Sequence, residues 1–428
     1  MEVILLYNHI LRIGENMILE KYLKQNDLNI RQLHLITNIP ESTLRSLNNR
    51  DISKWNMEYF ESISKAIHKP KIEVITELED LKESNSNKTN KLMGKYNLEN
   101  RRYIGAKNKL SSWIKKLILD NTEGKSFFDV FAGTGIMTKT MIDCYDEFII
   151  NDFLFSNEVI YHAFFGNEIF DVDKILEKTS KFQELKAYKI EDNYFSNNFS
   201  GKYFSNNDSK LIGHIRLLIR QDSQLSYREK SILLSSLIYS ADKIANTVGH
   251  YDAYRKKIDI EDKFKFELIS PIDTKNKNIE IFRKDSNSLV RSIKSDIAFI
   301  DPPYNSRQYS RFYHVLENLT KWDEPELSGT ALKPKSENMS DYCRTSAPQV
   351  FDDLIKSLNT KYIVVTYNNT YKSKSSSSRN KITHSQILES LNSVGETKIF
   401  EKEYRFFNTG KTNLNEHKEF VFITKVGV

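Results

Sequence analysis

The sequence predicts an α/β protein: an open sheet with helices on both faces, a mostly helical insertion, and an all-α segment in front. Three observations carry this expectation. Short apolar runs at Ser126–Phe131, Phe148–Ile150 and Asp296–Ile300 each end in Gly, Asp or Pro, as buried strands do. Helix-like stretches such as Ile136–Cys144, Ile215–Ile219 and Ser231–Ile244 lie between them. Before residue 81 the apolar positions instead recur at helical spacing, at Leu33, Ile36, Leu44 and Leu47, then Phe60, Ile63, Ile67, Val74 and Leu78.

At 428 residues the chain has length for two or three domains. Its two cysteines, Cys144 and Cys343, stand far apart. They suggest neither a disulfide framework nor a metal site, so a cytoplasmic setting without a metal is expected. No apolar run has membrane-spanning length, and no membrane association is expected. The net charge of +6 and pI near 8.8 are compatible with a polyanionic partner.

In the amino-terminal segment, Asn29–Thr37 reads as one short helix. Asn38-Ile39-Pro40 breaks it, and Glu41–Asn48 begins a second with proline at its start. Helix, three-residue turn, helix is the outline of a helix-turn-helix. Ile30–Leu44 followed by Phe60–Ile67 resembles the phage-repressor (XRE-like) family. One departure is Asn38, where that family often has Gly; Asn tolerates the left-handed turn. The resemblance implies that Ser42, Thr43, Arg45 and Asn48 face a major groove. Residues 1–81 are thus read as a helix-turn-helix DNA-binding domain. Residues 82–100, polar and without apolar periodicity, are read as a linker.

Tyr103-Ile104-Gly105-Ala106-Lys107 then precedes a helix through Trp113 and Ile118. A strand from Ser126 runs through Asp129 and Phe131 into the turn Ala132-Gly133-Thr134-Gly135, whose glycines let backbone approach a ligand closely. A second strand ends at Asn151-Asp152, where a carboxylate can take two ribose hydroxyls. Much further on, Asp301-Pro302-Pro303-Tyr304 closes a buried strand. The carboxylate and fixed carbonyls of this tetrapeptide accept hydrogen bonds, and the tyrosine ring offers a stacking face. Together they suit a planar ring bearing an exocyclic amine.

The order of these pieces resembles the adenine-specific DNA methyltransferases, in the Dam-like and type II restriction–modification class with cofactor motifs first and the catalytic tetrapeptide last. Asn305–Ser310, Tyr313–Glu317 and Ile363–Asn369 resemble the tails of type II members, Thr366 standing for a serine. The resemblance spans about 101–428. It implies a Rossmann-like methyltransferase sheet and S-adenosylmethionine as methyl donor. Tyr103 and Lys107 would contact the methionine part, and Asp129, Phe131, Gly133 and Gly135 would form the cofactor turn. Asp152 would hold the ribose, Asp285 would lie near the cofactor adenine, and Asp301 would touch both cofactor and target. It places a target-recognition insertion at about 165–282. There Gly249–Lys256 resembles a recurring stretch of type II members, implying Tyr251 and Lys256 as DNA contacts.

The expected reaction is methyl transfer to the exocyclic nitrogen of an adenine flipped out of duplex DNA. Asp301 and the Pro302 carbonyl would accept the amino hydrogens while Tyr304 stacks on the ring. Duplex DNA is the expected partner, with a cognate restriction endonuclease encoded nearby but no stable complex implied. Alternatives stay open: a cytosine amine as target, an RNA or protein-glutamine substrate, or a DNA-binding regulator with an inactive catalytic domain. The amino-terminal domain is expected either to regulate transcription or to add grip on substrate DNA.

Overall fold

The computed structural model describes residues 18–47, 50, 52–89, 92–256, 259–274, 276–370, 379–403 and 418–427. Its centre is a seven-stranded sheet in the order β3-β2-β1-β4-β5-β7-β6. The strands are β1 (Ser126–Asp129), β2 (Glu147–Asn151), β3 (Asn278–Phe282), β4 (Lys294–Ile300), β5 (Asn359–Asn368), β6 (Gly395–Glu403) and β7 (Lys418–Val426). The first five run parallel, and β7 pairs antiparallel with both β5 and β6.

Both faces of this sheet are covered, which explains why its central strands are unbroken apolar runs. Alternate residues serve opposite cores. Phe127, Ile297 and Phe299 pack on the side of helices Ser111–Asn121, Phe155–Phe165 and Tyr227–Ile244. Phe128, Ala298 and Ile300 pack against Ala347–Ser357 and His384–Asn392. The chain leaves β1 toward β2 and β3 and returns to β4 on β1's other side. Ligands of open α/β sheets bind at such a reversal, beyond the carboxyl ends of the strands. Here that point lies between the loops after β1 and β4.

The insertion between β2 and β3 is helical, as expected. Its helix Tyr227–Ile244 is buried nearly all round and packs along Phe155–Phe165 in the main core. The region therefore supplies a layer of the fold as well as surface. No helix among the described residues is long and apolar enough to cross a membrane.

In the amino-terminal segment, helices Ile18–Gln25, Ile30–Thr37, Glu41–Leu47, Met57–Ile67 and Lys71–Thr89 enclose their own core, including Leu19, Leu33, Leu44, Leu47, Ile63 and Leu78. Asn29 caps the second helix with a reciprocal Gln32 pair. Asn38 ends it at φ 56, the left-handed turn that Asn tolerates. Ile36, read as a core position, is 54% exposed.

The expected linker at 82–100 is corrected by this structure. Helix Lys71–Thr89 runs through its first half, because a helix anchored by its first turns can be prolonged by polar sequence. Leu92, Tyr96 and Leu98 are buried in the main core. The Tyr96 N–H donates to the Leu268 carbonyl at 3.0 Å, and its own carbonyl accepts from Ser270 N–H at 2.7 Å. Apolar residues this sparse show no period, yet they dock the segment.

Candidate active site

The loops after β1, β2, β3 and β4 wall a cavity with about 940 Å³ of empty space counted out to its mouth. Tyr103, Lys107, Asp129, Phe131, Gly133, Asp152, Asp285 and Asp301 all line it. Residues far apart in the chain therefore converge on one cavity.

The turn after β1 is shaped by its glycines. Gly133 stands at φ 55, and a Cβ there would approach the Tyr103 ring at 3.4 Å. Gly135, expected in the cavity, does not line it. At φ 77 it caps helix Ile136–Met141, and a Cβ would meet the Phe165 ring at 3.0 Å. Its role is close packing behind the loop.

Asp152 is held in place by backbone. Its Oδ1 accepts from the N–H groups of Phe153 (2.8 Å) and Leu154 (2.9 Å), and its Oδ2 from Gly133 N–H (2.9 Å). Burial raises its pKa from the usual carboxylate value, against the pull of these N–H groups. Asp129 is buried at the end of β1. Its Oδ2 accepts from the Thr138 hydroxyl at 2.8 Å, while its buried Oδ1 has no hydrogen-bond partner among the described residues. Burial, aided by the charge of Asp301, pushes its pKa up to about 7. A buried acceptor without a donor marks a place for a cationic or N–H-bearing ligand group. Asp285 caps the short helix Ser286–Val290 through Ser288 N–H at 2.9 Å.

The tetrapeptide Asp301–Tyr304 follows β4 directly. Asp301 Oδ1 takes three donors: the Tyr304 hydroxyl at 2.5 Å, the Thr366 hydroxyl at 2.8 Å and Lys107 Nζ at 3.0 Å. Lys107 Nζ also donates to the Tyr304 hydroxyl at 2.7 Å. Thr366, on β5, thus keeps the hydroxyl function of the serine it replaces. Pro302 is buried, while Pro303 lines the cavity. The Tyr304 ring packs on Tyr367 with centroids 4.5 Å apart. Burial, then the Asp301 charge, raises the Tyr304 pKa well above the usual value. In this arrangement Tyr304 is turned onto Asp301 and does not offer a face to the cavity. Lys107, expected on the methionine part, sits on the Asp301 carboxylate.

Residues 103–378 match the family described as D12 class N6 adenine-specific DNA methyltransferase. The chain belongs to this family. It is 29% identical over 335 residues to the type II methyltransferase M.NlaIII of Neisseria lactamica, covering 74% of this chain and 95% of that protein. It is 34% identical over 288 residues to the modification methylase LlaI of Lactococcus lactis subsp. lactis. It is 30% identical over 346 residues to the type II methyltransferase M.FokI of Planomicrobium okeanokoites. These two alignments cover 63% and 75% of this chain but only 46% and 52% of those proteins, so the chain spans about half their length. All three relatives are named as type II methyltransferases or modification methylases, in agreement with the motif order.

The adenine methyltransferase site also contains residues that motif reading passed over. Tyr309 lines the cavity and stacks on Tyr103 with centroids 5.2 Å apart; it lies in the quoted tail but carries no role there. Tyr342 meets Phe131 edge-on at 4.9 Å. It comes from the mostly irregular chain between helix His314–Lys321 and helix Ala347–Ser357, where no periodicity points inward. Tyr251, expected on DNA, is fully buried and donates to Asp242 Oδ1 at 3.0 Å. Its apolar ring fills the core under the 247–254 turn, which removes it as a surface contact. Lys256 is exposed. Ser42 and Arg45 are exposed, Thr43 is half-buried, and Asn48 lies outside the described residues. Arg45 is engaged with Glu20 and Glu41, both at 3.5 Å.

Proposed function

We propose that this adenine methyltransferase moves a methyl group from S-adenosylmethionine to N6 of an adenine in a specific duplex sequence, as the modification enzyme of a restriction–modification system. The observation that carries this reading is the placement of Asp301 in one cavity wall with Asp129, Gly133 and Asp152 in the other. The cavity fits the donor: Asp129 Oδ1 offers a buried acceptor to a cationic amino-acid portion, and the Asp152 carboxylate lines the same space and would take the ribose hydroxyls. When bound, the donor supplies an activated methyl group on a sulfonium.

The chain's own residues position and desolvate the target. Asp301 accepts a hydrogen bond from the adenine amino group, exchanging it for the Tyr304 hydroxyl. The Pro302 carbonyl accepts the second amino hydrogen. Tyr304, released, stacks on the flipped ring. Lys107 leaves the carboxylate as the base enters. A digest of duplex DNA after incubation with enzyme and labelled donor should release N6-methyladenine. Label in N4-methylcytosine would overturn the adenine assignment for this chain.

The described amino-terminal helices, with Asn38 at the turn and Ser42 and Arg45 exposed, support a helix-turn-helix contacting DNA. We assign it to regulation of its own operon or of a restriction partner gene. Removing residues 1–91 should leave methylation of the substrate within about twofold and abolish operator binding. A large rise in KM for substrate DNA would instead make the domain part of substrate grip. The cut belongs before Leu92, because Leu92, Tyr96 and Leu98 are in the catalytic core.

A further inference from the structure

Helix Phe155–Phe165 starts three residues after Asp152, and Phe153 and Leu154 between them line the cavity. Its N-cap residue, Leu154, supplies no side-chain cap. The first free N–H groups of such a helix need acceptors when buried. They find one far away in sequence. Glu317, only 5% exposed, accepts from Phe155 N–H through Oε2 at 3.0 Å and from Ser156 N–H through Oε1 at 2.8 Å. A carboxylate here also complements the positive end of the helix. Arg101 joins the same first turn through Ser156 Oγ at 3.3 Å and through Asn157 Oδ1.

Tyr309 lies in helix Tyr309–Phe312, Tyr313 at the junction to the next helix and Glu317 in helix His314–Lys321, and the contacts of the two tyrosines converge on residues 103–104. The Tyr309 hydroxyl donates to the Ile104 carbonyl at 3.1 Å, and the Tyr313 hydroxyl accepts from Ile104 N–H at 2.8 Å. Tyr313 stacks on Tyr103 with centroids 4.8 Å apart. The segment that follows Asp301–Tyr304 therefore grips both arms that wall the cofactor cavity: residues 103–104 on one side and residues 152–156 on the other.

We propose that Tyr313 and Glu317 are positioning residues that register the two cofactor-binding arms to the catalytic segment, with Glu317 as the remote N-cap of the helix behind Asp152. The proposal rests on the S-adenosylmethionine reading for its ligand. Neither residue lines the cavity, so both act through Tyr103, Ile104 and Asp152. The arrangement has a chemical consequence. Loss of the cap lets the Asp152 turn shift, which weakens cofactor binding without touching the groups that hold the target base.

The test uses the full chain with Glu317→Gln and Tyr313→Phe. Both substitutions keep side-chain size, and the second also keeps the ring stack on Tyr103. Calorimetry with S-adenosylhomocysteine should show its Kd raised about tenfold in each variant, with kcat at saturating donor and DNA within about threefold of wild type. Amide exchange at Phe155 and Ser156 should accelerate in Glu317→Gln while amides of β1 and β4 keep their protection. A variant that loses thermal stability but keeps its Kd within about twofold would overturn the proposal, leaving a packing role only. Unchanged exchange at Phe155 and Ser156 would overturn the cap itself. Failure of the wild-type chain to bind S-adenosylhomocysteine would be a failure of the cofactor reading, and the exchange arm would still judge the cap.

Discussion

On the β1–β2 side of the cavity Asp152 is fixed by backbone N–H groups and Asp129 by the Thr138 hydroxyl. Asp152 takes three N–H donors and still lines the space, and Asp129 keeps one buried oxygen without a donor. On the β4–β5 side the carboxylate oxygen of Asp301 is already occupied by side chains, Tyr304, Thr366 and Lys107. On the proposed assignment, the first wall is preorganised for the donor, and the second, satisfied by itself, exchanges partners when a base arrives. The difference follows from their tasks. A cofactor site gains affinity when its donors and acceptors need no reordering. A target site that meets its base only after flipping gains from keeping a buried carboxylate hydrogen-bonded meanwhile, because an unpaired one is costly.

This contrast can be broken from either side. The largest effect short of removing the carboxylate is expected for Tyr304→Ala, which takes away the stacking face. Single-turnover methylation should fall about 100-fold, in line with ~1–3 kcal/mol for a base–aromatic stack. Titration with S-adenosylhomocysteine should be little changed.

Next is Asp129→Asn, which strikes the prepared wall. Its cofactor Kd should rise about tenfold at pH 8, because the neutral amide no longer opposes a cationic group. In wild type, cofactor affinity should increase as pH rises through about 7 and then level off, as the Asp129 carboxyl gives up its proton. The Asn variant should show a flat profile. Stability of the ligand-free chain should move the other way. A carboxyl at about 7 when folded, against an ordinary 3.8, costs nothing below pH 4 and costs progressively more up to pH 7. Thermal melts should therefore show the variant more stable than wild type at pH 8 and no different near pH 4.

A smaller effect sharpens the second wall. Tyr304→Phe keeps the ring and removes the hydroxyl from Asp301. The rate should stay within about threefold of wild type, since that hydroxyl is displaced by the base in any case. A loss of about 100-fold, matching the alanine variant, would show that the hydroxyl takes part in transfer itself. The smallest effect on DNA binding and methylation is expected for Tyr251→Phe. It loses one buried hydrogen bond to Asp242, so stability should drop by about 1–3 kcal/mol while affinity for DNA is retained. Loss of DNA affinity at unchanged stability would return Tyr251 to the interface.

Much of the first wall is legible from residue types alone, because strand, glycine turn and terminal acid each leave a local trace. Gly133 and Asp152 stand where strand ends put them. The second wall is legible in its members and not in its arrangement. Nothing local tells that Lys107 crosses to Asp301 or that the Tyr304 hydroxyl turns inward, since the first contact joins distant parts of the chain and the second depends on a rotamer. Tyr309, Tyr313 and Glu317 show a four-residue spacing, but spacing does not name the partner. The docked segment at Leu92–Leu98 escapes because a few apolar residues among polar ones carry no period. Tyr251 misleads for the opposite reason: a polar, aromatic-rich turn looks like surface, and its ring is core.

The proposed function requires two separable walls, one for the donor and one for the base. Asp301→Asn probes this without disturbing the packing, because asparagine can still accept from Tyr304 and Thr366. The same preparation should be measured for S-adenosylhomocysteine affinity and for single-turnover methylation of duplex DNA. Separable walls require a Kd within about fivefold of wild type and a rate lower by roughly 1000-fold or more. Equal losses in both, or a rate near that of wild type, would show that the walls act as one.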